Sequence, residues 1–275
     1  MEVVSARGIL KFTRGLVIPI AVVALWQLLA VSGWINPQIL PSPAQVAVKW
    51  WEYLRPTAPY REGSYILWLV SGELPHDAVA SLSRVVGGFL IGTLLALPFG
   101  LLMGTSNRFY GLFNPLVQVL RPIPPIAYIP LAILWFGLGN PPAFFLISIG
   151  AFFPVLMNTI AGVHHVDGIY LRAARNLGAG QITLFRRVIV PAAMPYILTG
   201  MRIGIGTAFI VVIVAEMIAV NNGLGYRITE AREYLWSDKI IAGMFTIGLL
   251  GLGIDFFMNG LNNWLLKWHR GIDQT

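Results

Sequence analysis

The chain has 275 residues, of which 56% are hydrophobic and only 11% charged, with a formal net charge of +7. That balance leaves too little polar surface for a soluble protein of this length, so most of the chain is expected to meet lipid. The basic residues are scattered in short segments, which suits membrane topology better than a nucleic-acid surface, and the absence of cysteine excludes disulfides, thiolate metal sites and Cys nucleophiles.

Arg7, Lys11 and Arg14 precede the apolar run Leu16 to Val31, followed by Ser32. Secretory leaders share that pattern, but the run is read as a first transmembrane helix. Six runs are long enough to cross a bilayer: residues 15–32, 84–105, 112–137, 143–162, 195–220 and 240–266. The expected fold class is an all-α polytopic membrane protein with about six transmembrane helices. Its organisation is an N-terminal segment with the first helix (1–32), an external loop with an interfacial helix (33–83) and a core (84–275) containing a cytoplasmic loop at 163–192.

Orientation follows from Lys and Arg placement. With the N-terminus inside, the cytoplasmic segments hold Arg7, Lys11, Arg14, Arg108, Arg172, Arg175, Arg186, Arg187, Lys267 and Arg270. The longer external segments hold Lys49, Arg55, Arg61, Arg84, Arg227, Arg232 and Lys239, together with most of the acidic residues. Both termini are therefore expected in the cytoplasm.

Within the first external loop, Ser42-Pro43 signals a helix start, with a hydroxyl cap and a proline in the first turn. Val46, Trp50 and Leu54 follow at helical spacing, and Trp51 and Tyr53 add aromatic belt residues. This predicts a short helix at the outer interface, either a packing brace or a contact for a partner. In the second span Gly88, Gly92, Ala96, Gly100 and Gly104 recur every fourth residue, and Gly200, Gly204 and Ala208 repeat the pattern in the fifth. Such ridges of small residues let helix backbones approach, either inside the bundle or at a homodimer seam.

Arg121-Pro122-Ile123-Pro124-Pro125 interrupts the third span near its centre. Prolines there remove backbone donors, and the freed carbonyls are tolerated only against protein or a watery cavity. Four ionisable residues fall within predicted spans, Arg121, Arg202, Glu216 and Asp255, and each is expected to face the interior. One reading makes Arg121 the attraction for an anion, assisted by Gln118, Asn158 and Thr207. The other makes the four charges structural pairs, for example Arg121 with Asp255. His164-His165 and Asp167 lack a further ligand for a metal site, and no constellation for catalysis is present.

The loop at 163–192 carries Ala173, Leu177, Leu184 and Phe185 as a candidate apolar stripe, with Arg172, Arg175, Arg186 and Arg187 facing outward. It reads as a short amphipathic helix at the cytoplasmic surface, offered to a soluble partner.

The succession Arg172-Ala173-Ala174, Gly178, Val188, Val190 and Pro191 resembles the coupling loop of ATP-binding-cassette importer permeases, written E-A-A, three residues, G, nine residues, I-x-L-P. Arg172 stands where that pattern has Glu. The segment Leu120-Arg121-Pro122-Ile123-Pro124-Pro125-Ile126-Ala127-Tyr128-Ile129-Pro130-Leu131 is similar to the L-R-P-x-P-P-x-A-x-x-P-L signature of the nitrate/sulfonate/taurine branch. Trp135 to Gly139, Glu216 and Gly223-Leu224-Gly225 follow in that branch's order.

The resemblance implies a type I importer permease fold in the bacterial cytoplasmic (inner) membrane. A second copy of the chain, two cytoplasmic ATPase subunits and an extracytoplasmic substrate-binding protein are the implied partners. Ala173, Ala174, Leu177 and Gly178 would contact the ATPase, within a coupling segment that also contains Arg172, Arg186 and Pro191. The implied substrate pathway holds Gln118, Arg121, Pro122, Asn158, Arg202, Thr207 and Glu216. No cofactor is expected in this chain and it is not expected to be an enzyme: it has no G-x-x-x-x-G-K-[ST] loop, so ATP and Mg belong to the partner ATPase. Taurine or an alkanesulfonate is the leading substrate, and nitrate follows. Bicarbonate, a small heterocycle, and a channel or secondary transporter for small anions are the alternatives.

Overall fold

The structure, a computed structural model, describes residues 6–56, 64, 65, 68 and 71–266. All regular structure among them is helical. In chain order the helices are α1 (Ala6–Val31), α2 (Pro43–Leu54), α3 (Glu73–Thr105), α4 (Asn107–Leu120) and α5 (Ile129–Phe136), the last preceded by a 3₁₀ turn at Pro125–Tyr128. Then come α6 (Asn140–His164), α7 (Gly168–Asn176), α8 (Gln181–Leu184), a π turn (Phe185–Ile189), α9 (Val190–Ala219), α10 (Leu224–Glu233) and α11 (Ser237–Leu265).

Among the described residues, four helices are long and apolar enough to cross a membrane: α3, α6, the continuous run Gln181–Ala219 and α11. They account for the second, fourth, fifth and sixth predicted spans. The third is α4 followed by the Pro125–Phe136 segment, and the two parts are bent by 83° at their break. Three prolines within four residues explain why no helical hydrogen-bond ladder crosses residues 122–125. The first predicted span is represented by a shorter apolar helix, Val17–Val31. Lys267 and Arg270, counted with the cytoplasmic cations, and Arg61, counted with the external ones, lie outside the described residues.

The chain forms two compact units, residues 1–76 with 227–246, and residues 77–226 with 247–275. In the first, α2 starts with the expected cap. Ser42 Oγ accepts from the Gln45 N–H, and Gln45 Oε1 accepts in return from the Ser42 N–H at 2.9 Å. Val46 and Tyr53 are buried, and Trp50 Nε1 donates to Thr246 Oγ1 at 2.9 Å. The Lys239 ammonium lies 4.3 Å from the centre of the Tyr53 ring. Those contacts make α2 a brace, its apolar face locked against the rest of its own unit.

The second unit is a bundle around α6, against which both α3 and α9 pack. The glycine ridges explain how close these helices come. A Cβ at Gly88 would stand 2.5 Å from Ile147 Cγ2, and one at Gly104 would stand 2.6 Å from Val163 Cβ. In the ridge of α9, a Cβ at Gly200 would be 2.7 Å from Asn158 Cβ. Both ridges are thus consumed inside the chain, and neither is left as a seam for a second copy. Ala143, Ile147, Ala151, Val155, Ala208 and Val212 fill the core where these helices meet.

Candidate functional site

The break in the third span opens a cavity of about 350 Å³. Arg121, the C-cap of α4, lines it together with Pro124 and Pro125 from the break, Asn158 from α6, and Ile203 and Thr207 from α9. Three residues singled out by sequence thereby meet in one place: Arg121, Asn158 and Thr207. Asn158 Nδ2 spends one hydrogen on the Pro154 carbonyl at 2.9 Å, which leaves a second N–H. The Thr207 hydroxyl donates to the Ile203 carbonyl at 2.6 Å and keeps its acceptor capacity. Gln118, one turn before Arg121, bonds to Asn114 rather than lining the cavity, and Pro122 is exposed outside it.

The remaining charges are paired, but not as expected. Asp255 binds Arg202, with Arg202 Nη2 at 2.7 Å from Oδ1 and 3.0 Å from Oδ2, and Asn259 adds a further donor at 3.3 Å. The pairing of Arg121 with Asp255 considered from sequence is therefore not formed. Arg202 and Asp255 instead meet each other from facing helices.

Glu216 is fully buried, and its partner is Arg84, whose Nη1 donates to Oε1 at 2.6 Å. Ser81 donates to Oε2 at 2.8 Å, and the Gly225 N–H donates to the same oxygen at 3.0 Å. Arg84 also donates to Asn140 Oδ1 at 2.8 Å, to the Asn222 carbonyl at 3.1 Å and to Asn222 Oδ1. Asp77 Oδ1 accepts from the Gly223 N–H at 2.9 Å, and Ser81 Oγ from the Leu224 N–H at 3.0 Å. One buried polar knot thus ties α3, the start of α6, the end of α9 and the turn after it.

Gly223 and Gly225 owe their identity to that knot. Gly223 has φ +106°, and a Cβ on it would lie 2.5 Å from Glu216 Oε1. A Cβ on Gly225 would lie 2.9 Å from Glu216 Cβ. Sequence reasoning flagged Glu216 and the two glycines separately and missed Arg84, which it had counted among external cations. Asp77, Ser81 and Arg84 recur at helical spacing, so the polar row on one face of α3 was the available signal.

With Glu216 and Asp255 both taken, neither carboxylate in the predicted spans is left for Arg121. Among the described residues it has no ion-pair partner. The cavity lining therefore holds a guanidinium on the broken third span with no ion-pair partner among the described residues.

The coupling segment is the second site. Asp167 caps α7 by accepting from the Ile169 N–H at 2.8 Å. At the other end Gly178, with φ +82°, donates to the Arg175 carbonyl, and Ala179 donates to that of Ala174. Leu171 and Ala174 face the protein, while Ile169, Ala173 and Leu177 form an outward ridge on which Leu177 is 89% exposed. The single stripe expected through Leu184 and Phe185 is not formed, because Leu184 is buried on the opposite side of the break at 178–180. Arg172, Arg175, Arg186 and Arg187 are exposed as expected, and Pro191 sits in the first turn of α9.

The described residues thus form a bundle of helices able to span a membrane, with a capped, outward-facing helix between two of them. The chain belongs to the family described as binding-protein-dependent transport system inner membrane component, which it matches over residues 88–270. It is 35% identical to the taurine transport system permease protein TauC of Escherichia coli (strain K12), across 89% of this chain and 86% of that protein. It is also 36% identical to the bicarbonate transport system permease protein CmpB of Synechococcus elongatus, across 70% of this chain and 69% of that one. Among solved structures, an inward-facing conformation of the MetNI methionine ABC transporter superposes with a TM-score of 0.62 at 18% identity, covering 69% of this chain and 94% of that chain. That likeness supports the type I importer permease fold.

Proposed function

We propose that this chain moves a small anion into the cytoplasm as the translocation subunit of an ATP-driven importer, and that taurine or another alkanesulfonate is its substrate. The observation that carries the anion is Arg121, which lines a cavity at the break of the third span without an ion-pair partner among the described residues. Arg121 attracts the anionic group, and Asn158 and Thr207 supply a neutral donor and acceptor beside it. A cavity of this size lies at the lower end of the range for small-molecule sites, which suits a solute of few atoms. The taurine relative supports the sulfonate, and the bicarbonate relative makes a second small anion the nearest competitor.

Both termini lie in the cytoplasm on this reading, as the Lys and Arg distribution favours. A second copy accounts for the Arg202–Asp255 pair, whose side chains stay 41% and 48% exposed within helices that cross the membrane. Hydrocarbon is a poor neighbour for that pair, and a facing protomer or the vestibule between protomers is a good one. Two ATPase subunits dock on α7 from the cytoplasm, and a binding protein delivers substrate from outside. ATP-driven closure must favour one permease state over the other by a few kcal/mol, transmitted through α7 and the continuous run Gln181–Ala219 that follows it.

Uptake of labelled taurine, bicarbonate and nitrate into proteoliposomes containing the chain, its ATPase and its binding protein tests this. Taurine uptake that requires ATP is expected. Uptake of bicarbonate or nitrate alone would move the substrate to an inorganic anion. Uptake without ATP would replace the importer with a channel or secondary transporter.

A further inference from the structure

The cytoplasmic face carries charge that the function above leaves unused. Between residues 105 and 191 the only acidic side chain is Asp167, and its carboxylate is engaged as the cap of α7. Arg108, Arg172, Arg175, Arg186 and Arg187 are all exposed. None of the five has an ion-pair or side-chain hydrogen-bond partner among the described residues. Arg172 and Arg175 lie one turn apart on α7, directly beside the outward ridge of Ile169, Ala173 and Leu177. An apolar ridge bordered by unpaired guanidinium groups is the anatomy of an interface core with a charged rim.

Resting on the importer reading, we infer that the ATPase surface receiving α7 is acidic, and that Arg172, Arg175 and Arg186 select that partner by charge. The arginine fork makes paired hydrogen bonds to carboxylates, so side-chain Asp or Glu groups bordering the apolar groove are the matching chemistry. Anionic lipid is the competing occupant for exposed arginines near a membrane. Two observations favour the protein. The ridge is built on small Ala173 flanked by two fixed helix ends, which suits a shaped groove better than a fluid interface. Ala174 and Leu171 also hold α7 against its own chain, so the helix is oriented before any surface is met.

The test titrates the chain, held in nanodiscs, with the ATPase subunit of its own transporter. It compares wild type with the double variants Arg172→Glu/Arg175→Glu and Arg172→Lys/Arg175→Lys. Because long-range attraction between charged rims is screened by salt, wild-type affinity should fall about tenfold between roughly 50 and 500 mM KCl. At low salt the Glu variant should bind at least about tenfold more weakly, while the Lys variant stays within about threefold of wild type. Arg186→Glu, on a separate element, should reproduce the loss and guards against a folding defect in α7. A flat salt response with undiminished binding by the Glu variants would overturn the inference. So would a Glu defect that appears in nanodiscs of anionic lipid and vanishes in zwitterionic ones, which would assign the arginines to headgroups. If wild type binds the ATPase at no salt concentration, the importer reading itself falls, an outcome distinguishable from the other two.

Discussion

Two arginines in the same unit meet opposite fates. Arg84 is 3% exposed, and its guanidinium is satisfied by Glu216, Asn140 and Asn222. Arg121 stands exposed at the edge of a cavity, with no ion-pair partner among the described residues. Burial of a charge is tolerated where every donor has a fixed partner, and that is the condition for architecture. A charge left open in a membrane protein, at a break in a helix, is free to interact with what passes. The difference teaches that charges inside this bundle cannot be read as one class, because the pairing and not the depth decides what each does.

The comparison can be broken at either end. Glu216→Ala strips the partner from a buried Arg84 and should destabilise the protein most, by about 3–5 kcal/mol. Thermal unfolding of the purified chain in detergent would show a large drop in Tm or a failure to accumulate, and an unchanged Tm would mean that the knot is dispensable. Gly223→Ala should come next. It forces a side chain into a left-handed turn and onto the Glu216 carboxylate, at a cost of about 1–3 kcal/mol in the same assay. Thr207→Val should have the smallest effect. It keeps the shape of the side chain and removes the hydroxyl, so Tm should hold within about 0.5 kcal/mol equivalent while taurine import falls about threefold. A Tm loss without an import change would place Thr207 with the architecture instead.

Much of this was legible in the chain. The spans at 84–105, 143–162, 195–220 and 240–266 follow from hydropathy, because lipid imposes length and apolarity on any helix that crosses it. The break at Arg121 follows from prolines, and the start of α2 from Ser42 and Gln45. Gln118, Asn158 and Thr207 were grouped with Arg121 as polar residues, and the cavity joins the last two but not Gln118.

The ion pairs were not legible, since Arg84 and Glu216 are 132 residues apart and the rotation of each helix about its axis decides who faces whom. The same limit applies to Arg202 and Asp255, 53 residues apart. Leu177 and Leu184 failed to share a face for a local reason. Residues 178–180 interrupt the helix and a π turn follows at Phe185–Ile189, so a helical period cannot be carried across. The glycine ridges showed that close approach would occur but did not name the partner helix, which proved to be α6 for both ridges.

Arg121→Gln is the variant whose behaviour decides the central claim, that an unpaired charge in the cavity serves an anion. Its ATP-driven taurine import should be measured beside its Tm, in proteoliposomes with the ATPase and binding protein present. The account predicts import lowered by at least about tenfold, equivalent to roughly 1.4 kcal/mol, with Tm unchanged because no partner is left unpaired. Import at the wild-type rate would contradict it, and a Tm that falls together with import would show that Arg121 belongs, like Arg84, to the architecture.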